Sequence, residues 1–141
     1  MSLYSERLAK LKKEIIQIGK IKNKKRWKPN QFIMINFING VTKKAEFIIN
    51  KQKVILTIGT DTMGFTHMLK KHYCNSCEGE ISTMDILNIT DIIERGIILA
   101  NVGVSNKENI VYRKIKGNQN YNIILKSVND GSLIISMYSI G

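Results

Sequence analysis

The chain has 141 residues, of which 43% are hydrophobic and 23% are charged, a composition typical of one soluble globular domain. These values exclude disordered, collagen-like and low-complexity proteins, and two cysteines are too few for a disulfide scaffold. No run approaches the roughly 18 apolar residues of a membrane span, and no signal-peptide pattern follows the first residue. The net charge of +11 favours a polyanionic partner, most simply nucleic acid.

The charge is distributed unevenly along the sequence. Residues 10–28 carry nine basic side chains against one acidic side chain, Glu14. Residues 74–94 carry five acidic side chains and no basic one, whereas residues 110–126 carry four basic side chains and no acidic one. Two basic zones and one acidic zone produce a polarised electrostatic field. A lysine-rich composition without a functional cause gives the same counts, so both interpretations stay open.

The first predicted element is an amphipathic helix over residues 5–18, which Ser5 caps and Gly19 ends. A basic loop over residues 20–30, with the sequence KIKNKKRWKPN, follows it. If Trp27 is exposed, it can stack on nucleic-acid bases. If it faces inward, it anchors the loop on the core. If this loop binds RNA, the contacting residues are Lys22, Lys24, Lys25, Arg26 and Trp27.

Residues 31–58 predict two or three antiparallel strands. Residues 31–38 are apolar and β-branched, and Asn39-Gly40 is typical of a hairpin turn into a strand over 41–49. Residues 50–52 predict a second turn, and residues 53–58 predict the next strand.

The second half predicts short helices followed by strands. A helix is expected over 65–73, then a polar loop, then a helix over 83–95 that Ser82 or Thr83 caps and Gly96 closes. Strands follow at 97–104, 109–115, 121–128 and 133–138, with residues 129–131 forming a hairpin turn. We therefore predict an α+β fold in which an N-terminal helix and short helices pack on a twisted antiparallel sheet.

The two histidines of the chain, His67 and His72, lie in one short segment together with Lys70 and Lys71. Two imidazoles can supply the base and the acid for a ribose 2′-hydroxyl that attacks its own phosphodiester. A lysine can stabilise the negative phosphorane, so the reaction needs no metal. A spacing of five separates the two histidines by about 140° on an ideal helix. They can share a cleft only if His67 lies at the start of the helix.

A zinc site is the competing interpretation of this segment. His67, His72, Cys74 and Cys77 form a compact Cys₂His₂ set that zinc accepts. Helical ligand pairs normally lie four residues apart, however, and a second cysteine pair is missing. A thioredoxin-like role is disfavoured because the cysteines follow a helix. Reduced cysteines in a cytosolic protein are the expected state. The sequence contains no P-loop, dinucleotide-binding, HExxH or GxSxG motif.

The segment HMLKKH at 67–72, preceded by a strand and followed by a helix and a β-meander ending in YNIILKSVNDGSLIISMYSIG at 121–141, resembles the BECR nuclease superfamily. This superfamily includes barnase-like, EndoU-like, colicin tRNase-like and RelE-like enzymes, and the likeness is to its phage- and mobile-element-associated branch. The resemblance covers about residues 31–141. Residues 1–30 form an N-terminal helix and basic loop, within one compact domain overall. The resemblance to this superfamily implies an endoribonuclease, often a toxin, that cleaves tRNA or mRNA by 2′-hydroxyl attack without metal or cofactor.

The resemblance also implies roles for individual residues. Ser136 stands where the superfamily often has Thr, and Ser139 replaces its usual Pro. Arg113 and Lys114 are expected to contact phosphate or to keep an exposed strand face soluble. The residues implied for catalysis are His67, His72, Lys70, Lys71, Ser136 and Tyr138.

The expected partners are RNA and an acidic immunity or antitoxin protein, which the positive surface would suit. We expect the protein in the cytoplasm, or delivered to the cytoplasm of a target cell. Two alternatives remain at this point. One is a non-catalytic nucleic-acid-binding or phage structural module of the same fold, and the other is the zinc-binding domain described above.

Overall fold

The computed structural model describes residues 2–21, 27–100, 109–116, 119–128 and 131–140. These residues form an α+β fold, which confirms the predicted class. The helices and strands, in chain order, are α1 (Leu3–Ile21), α2 (Pro29–Ile38), β1 (Lys44–Ile49), β2 (Gln52–Thr57), α3 (Gly64–His72), α4 (Thr83–Leu87), α5 (Ile89–Arg95), β3 (Ile97–Ala100), β4 (Asn109–Lys116), β5 (Gln119–Val128) and β6 (Gly131–Ile140).

The six strands form one mixed sheet in the order β1-β2-β6-β5-β4-β3. Four neighbouring pairs are antiparallel, but β2 and β6 run parallel. The prediction of a purely antiparallel sheet is therefore wrong at this one pair. Parallel neighbours require a long crossover, and here the chain from α3 to β5 separates the two strands. The N-terminal hairpin and the C-terminal meander are joined through β2 and β6.

Helix α2 occupies the segment predicted as the first strand, so that prediction is wrong. Pro29 stands at the start of the helix, where its missing N–H and fixed φ cost nothing. Met34, Phe37 and Ile38 are buried at helical spacing and place one face of α2 in the core. Gly40 has a φ of +78°, and its N–H donates to the Phe37 carbonyl. Asn39-Gly40 thus ends a helix and does not form a hairpin turn.

The other predicted elements are close to those observed, except that α1 begins before Ser5 and continues past Gly19, so the predicted cap and end of that helix are wrong. The β1–β2 hairpin turns through Asn50 and Lys51, which both have positive φ, and α3 spans nearly the predicted residues. The predicted helix over 83–95 is divided at Asn88 into α4 and α5. Ser82 caps α4, because its Oγ accepts from the Asp85 N–H at 3.1 Å. Val128 pairs with Gly131, which confirms the β5–β6 hairpin.

The helices bury one face of the sheet. Along β1, buried and exposed residues alternate, so one face is solvated and the other is covered. Helix α1 contributes Leu11 and Ile15 to the same core as the strands. No helix within the described ranges has both the length and the apolarity needed to cross a bilayer. The largest fully buried side chains are Phe37, Phe47, Phe65, Leu11, Met34, Leu56, Met68, Leu69, Ile86, Leu87, Ile89 and Ile92.

Most of the edge of β6 that faces β2 is not paired with that strand. Strand β2 pairs with β6 only at Ser132 and Leu133. Farther along β6, Ser139 bonds to the loop after α3: its N–H donates to the Gly79 carbonyl at 3.2 Å, and its Oγ donates to the Glu80 carbonyl at 2.6 Å. Helix α3 also packs against β6. The C-terminal half of β6 and α3 thereby become two sides of one cleft.

Candidate active site

A cleft of about 850 Å³ opens between α3, the loop after it and the C-terminal half of β6. Ile124, Ile135 and Ile140 contribute apolar surface to its lining. The cleft brings together five of the six residues implied for catalysis by the sequence, namely His67, Lys71, His72, Ser136 and Tyr138.

The two histidines converge within this cleft. Their ring centroids lie 5.4 Å apart, with the ring planes at 77° to each other. His67 lies in the first turn of α3, and His72 is its last residue. The structure therefore meets the geometric condition set by their spacing, namely that His67 must lie at the start of the helix.

A tight loop orients His67. Its Nδ1 donates to the Asp61 carbonyl at 2.9 Å. The loop bends through Gly59 (φ +71°) and Gly64 (φ +81°). A Cβ on Gly59 would lie 2.1 Å from the Met63 carbonyl oxygen, so only glycine fits there. The glycines that bracket this loop therefore present the Asp61 carbonyl to the ring.

A different loop orients His72. Its Nδ1 donates to the Glu78 carbonyl at 2.8 Å, and its ring lies 5.6 Å from the ring of Tyr138 at 31°. Burial lowers the pKa of His72 below its usual value, and electrostatic interaction with His67 and Lys71 acts in the same direction. The hydrogen bond to Glu78 opposes this shift without cancelling it. Burial thus favours the neutral form of the His72 imidazole.

Both histidines share one tautomer. A backbone carbonyl oxygen only accepts hydrogen bonds, so the Nδ1 atom of each ring must carry a proton. In the neutral ring, Nε2 then holds the lone pair. Nε2 is therefore the nitrogen of His67 and His72 that remains to exchange a proton with a substrate.

The two neighbouring lysines have different environments. Lys70 Nζ lies 2.7 Å from Asp61 Oδ1 and forms an ion pair with it. Asp61 thus holds His67 with its carbonyl group and Lys70 with its carboxylate. Lys71 is exposed and lines the cleft beside His72. Of the two candidates for the cationic position, Lys71 has the geometry to meet a bound anion.

The side of the cleft formed by β6 contributes hydroxyl groups. Ser136 is only 5% exposed, and its Oγ has no hydrogen-bond partner among the residues that the structure describes. An unpaired buried hydroxyl costs free energy, and Ser136 is also one of the residues that line the cleft. Tyr138 OH accepts a hydrogen bond from Asn122 Nδ2 at 3.4 Å.

The proposed RNA-binding residues outside the cleft are only partly described. Trp27 is half-buried and packs against the hydrophobic core, in agreement with the anchoring interpretation. Arg113 pairs with Asn122 on β5, and Asn122 pairs with Tyr138 on β6. The side chains of Arg113 and Lys114 lie outside the described residues, as do Lys22, Lys24, Lys25 and Arg26.

The cysteines form a disulfide between Cys74 and Cys77, so the expectation of reduced cysteines is wrong. The turn after α3 brings their Cα atoms to 5.3 Å, within the range that a disulfide spans. The bond leaves no thiolates for zinc, which requires deprotonated cysteine. Among the described residues no group of three or more His, Cys, Asp or Glu side chains could hold a metal ion.

Sequence reasoning missed the groups that hold the two histidines in place. Both are backbone carbonyls, of Asp61 and Glu78, and a carbonyl has no side-chain signature. The available signal was the placement of glycines, since Gly59, Gly64 and Gly79 all have positive φ beside these carbonyls.

No protein-family model matches the chain, and no curated protein shows a significant match to it.

Proposed function

We propose that this protein is a metal-independent endoribonuclease of the BECR type that cleaves RNA through attack by the ribose 2′-hydroxyl. The observation that carries this proposal is the pair of histidines in one cleft, each fixed through Nδ1 to a backbone carbonyl and each presenting Nε2. Membership of the BECR superfamily rests on the sequence resemblance and remains a prediction.

The environments of the two imidazoles suggest their separate roles. Burial lowers the pKa of His72 and so favours its neutral form, which can accept the proton of the 2′-hydroxyl. His67 then donates a proton to the leaving 5′-oxygen. The two rings are in edge-to-face contact, with their centroids 5.4 Å apart, so both lie close enough to act on one phosphodiester bound in the cleft. This division of base and acid supports in-line attack followed by release of a 2′,3′-cyclic phosphate.

Two further groups suit the phosphate. Lys71 places a positive charge beside His72, where the equatorial oxygens of the phosphorane would gain charge. The buried hydroxyl of Ser136 has no partner among the described residues, so it can donate to a phosphate oxygen if substrate binding uncovers it. Lys71 is already exposed in the cleft before substrate binds, and such preorganisation is what stabilises a transition state.

The net charge of +11 supports RNA as the substrate. A positive surface attracts the phosphate backbone and raises the rate of encounter. DNA would bind for the same reason, but it lacks the nucleophile that this chemistry requires. The proposal therefore predicts binding to both nucleic acids and cleavage of RNA alone.

The test is cleavage of total tRNA and of total mRNA in EDTA by the wild type and by the variants His67→Ala and His72→Ala. General acid–base catalysis contributes about 10²- to 10⁴-fold, so each variant should cut at least about 100-fold more slowly. Circular dichroism of each variant checks that the fold is retained. Absence of cleavage by the wild type, or equal rates in all three proteins, would reject the proposal. RNA binding without cleavage would favour the non-catalytic module.

A further inference from the structure

The disulfide between Cys74 and Cys77 lies within the short chain segment that connects His72 to the carbonyl that orients it. Cys74 follows His72 by two residues, and Cys77 directly precedes Glu78. The bond closes a four-residue loop between the imidazole and its hydrogen-bond acceptor. The position of the Glu78 carbonyl therefore depends on how tightly this loop is closed.

The contact between this loop and His72 leaves little room for displacement. Gly79 has a φ of +64°, and a Cβ there would lie 2.9 Å from the Tyr138 Cβ and 3.2 Å from His72 Nδ1. On its far side the loop is fixed to β6, because Ser139 donates to the Gly79 carbonyl. At its other end, next to α3, the loop is constrained by the disulfide between Cys74 and Cys77.

A guanidinium group lies beside one of the two sulfur atoms. Arg7 Nη1 donates to Cys77 Sγ at 3.7 Å and to the Leu69 carbonyl at 2.8 Å, and it also bonds the Lys70 carbonyl. A neighbouring positive charge lowers the pKa of a thiol and stabilises its thiolate. Cys77 is thus the better leaving group of the disulfide, and a reductant would attack Cys74.

We propose that this disulfide is a redox-controlled clamp on His72, which holds the imidazole in its catalytic orientation when closed and releases it when reduced. The effect on catalysis rests on the function proposed above. The co-reactant is a dithiol of the thioredoxin or dithiothreitol class.

The reduction proceeds in two exchange steps. A thiolate of the dithiol bonds to Cys74 Sγ, the bond between Cys74 and Cys77 breaks, and its electron pair leaves on Cys77 Sγ beside Arg7. The second thiolate of the dithiol then bonds to its own first sulfur and displaces Cys74 as a thiolate. The dithiol becomes a cyclic disulfide, and the protein gains two electrons; water supplies the protons that the thiolates take up.

The opened loop holds the Glu78 carbonyl less tightly against His72, because only the hydrogen bonds of the loop to Ser139 and of Ile81 to the His72 carbonyl then remain. Small displacements of a catalytic group cost up to about 100-fold in rate, so we expect the reduced protein to cleave RNA about tenfold more slowly. His67 serves as an internal reference, because the Asp61 carbonyl that holds it belongs to the loop on the other side of α3.

The experiment compares oxidised and dithiothreitol-reduced wild type by RNA cleavage in EDTA and by NMR of the imidazole C–H signals. Reduction should slow cleavage about tenfold and should shift the His72 signals more than the His67 signals. The double variant Cys74→Ser/Cys77→Ser should behave like the reduced wild type and should not respond to dithiothreitol. Gly79→Ala disturbs the same contact without altering the cysteines, so it should be slow and should respond little to reductant.

Identical His72 signals in the oxidised and reduced wild type would overturn the clamp, and this comparison requires no variant to fold. If neither form cleaves RNA, the proposed function fails, while the NMR signals still decide whether the disulfide holds His72. A reduced wild type that cleaves as fast as the oxidised protein, despite shifted His72 signals, would overturn the control of catalysis.

Discussion

Two buried serines on β6 allow the hydroxyl of Ser136 to be tested against a matched control. Ser136 is 5% exposed and Ser139 is 8% exposed. The Ser139 hydroxyl donates to the Glu80 carbonyl at 2.6 Å, whereas the Ser136 hydroxyl has no partner among the described residues. The same substitution at the two positions should therefore change the free energy of unfolding in opposite directions.

The expected magnitudes follow from this difference. A buried unsatisfied hydroxyl costs about 1–3 kcal/mol, and Ser136→Ala removes it while losing the contacts of one atom. We expect a gain of about 1 kcal/mol in stability, or roughly 3 °C in Tm for a domain of this size. Ser139→Ala leaves the Glu80 carbonyl without its donor and should lose about 1–3 kcal/mol.

The assay combines urea denaturation with RNA cleavage in EDTA. If Ser136 keeps its hydroxyl for the substrate, Ser136→Ala should be at least as stable as the wild type and should cleave about 10²- to 10³-fold more slowly, the range seen when one transition-state donor is lost from a site. A Ser136→Ala protein as unstable as Ser139→Ala would show that the hydroxyl is structural. Full activity in a stable Ser136→Ala protein would show that it does not contact the phosphate.

Three further predictions concern charge and proton transfer. The acidic limb of the pH profile of kcat/KM should have its midpoint below pH 6.5, because burial lowers the pKa of His72 from that value and a general base must be unprotonated; a midpoint at or above 6.5 would contradict the role of His72 as base. Lys71→Gln should reduce cleavage about tenfold or more, because it removes the positive charge from the cleft. Lys70→Gln loses only an exposed ion pair with Asp61, worth at most about 1 kcal/mol, and should keep nearly wild-type activity. Equal losses of activity in the two variants, measured by steady-state kinetics, would refute this distinction. Arg7→Met should lower the free energy of unfolding by about 1–3 kcal/mol, because it leaves two carbonyl groups near the end of α3 without their donor; an unchanged urea midpoint would show that these bonds are not stabilising.

Local patterns predicted much of the fold. The helix predicted over 65–73 differs from α3 by one residue at each end, and the strand predicted over 41–49 ends where β1 ends but begins three residues too early. The prediction for the α2 segment was wrong because its β-branched residues favour strands. Its helical period becomes evident only from the burial of Met34, Phe37 and Ile38. Asn39-Gly40 added to this error, because the pair is typical both of hairpins and of helix ends.

The candidate site was predicted from its side chains but not from its backbone contacts. His67 and His72 could be chosen because they are the two histidines of the chain and lie five residues apart. Their carbonyl partners depend on loop conformations that no local pattern specifies. The position of Ser136 depends on the parallel pairing of β6 with β2, which is a long-range contact. An acidic inhibitor protein also remains a prediction from the net charge.

In the proposed reaction, the paired imidazoles transfer protons during attack by the ribose 2′-hydroxyl. The most direct measurement is the chemical identity of the 3′ ends that the oxidised wild type produces from RNA in EDTA, read by mass spectrometry. We expect 2′,3′-cyclic phosphate ends, which are lost together with cleavage in His67→Ala and His72→Ala. Fragments ending in a 3′-hydroxyl, or cleavage that requires an added metal ion, would contradict it.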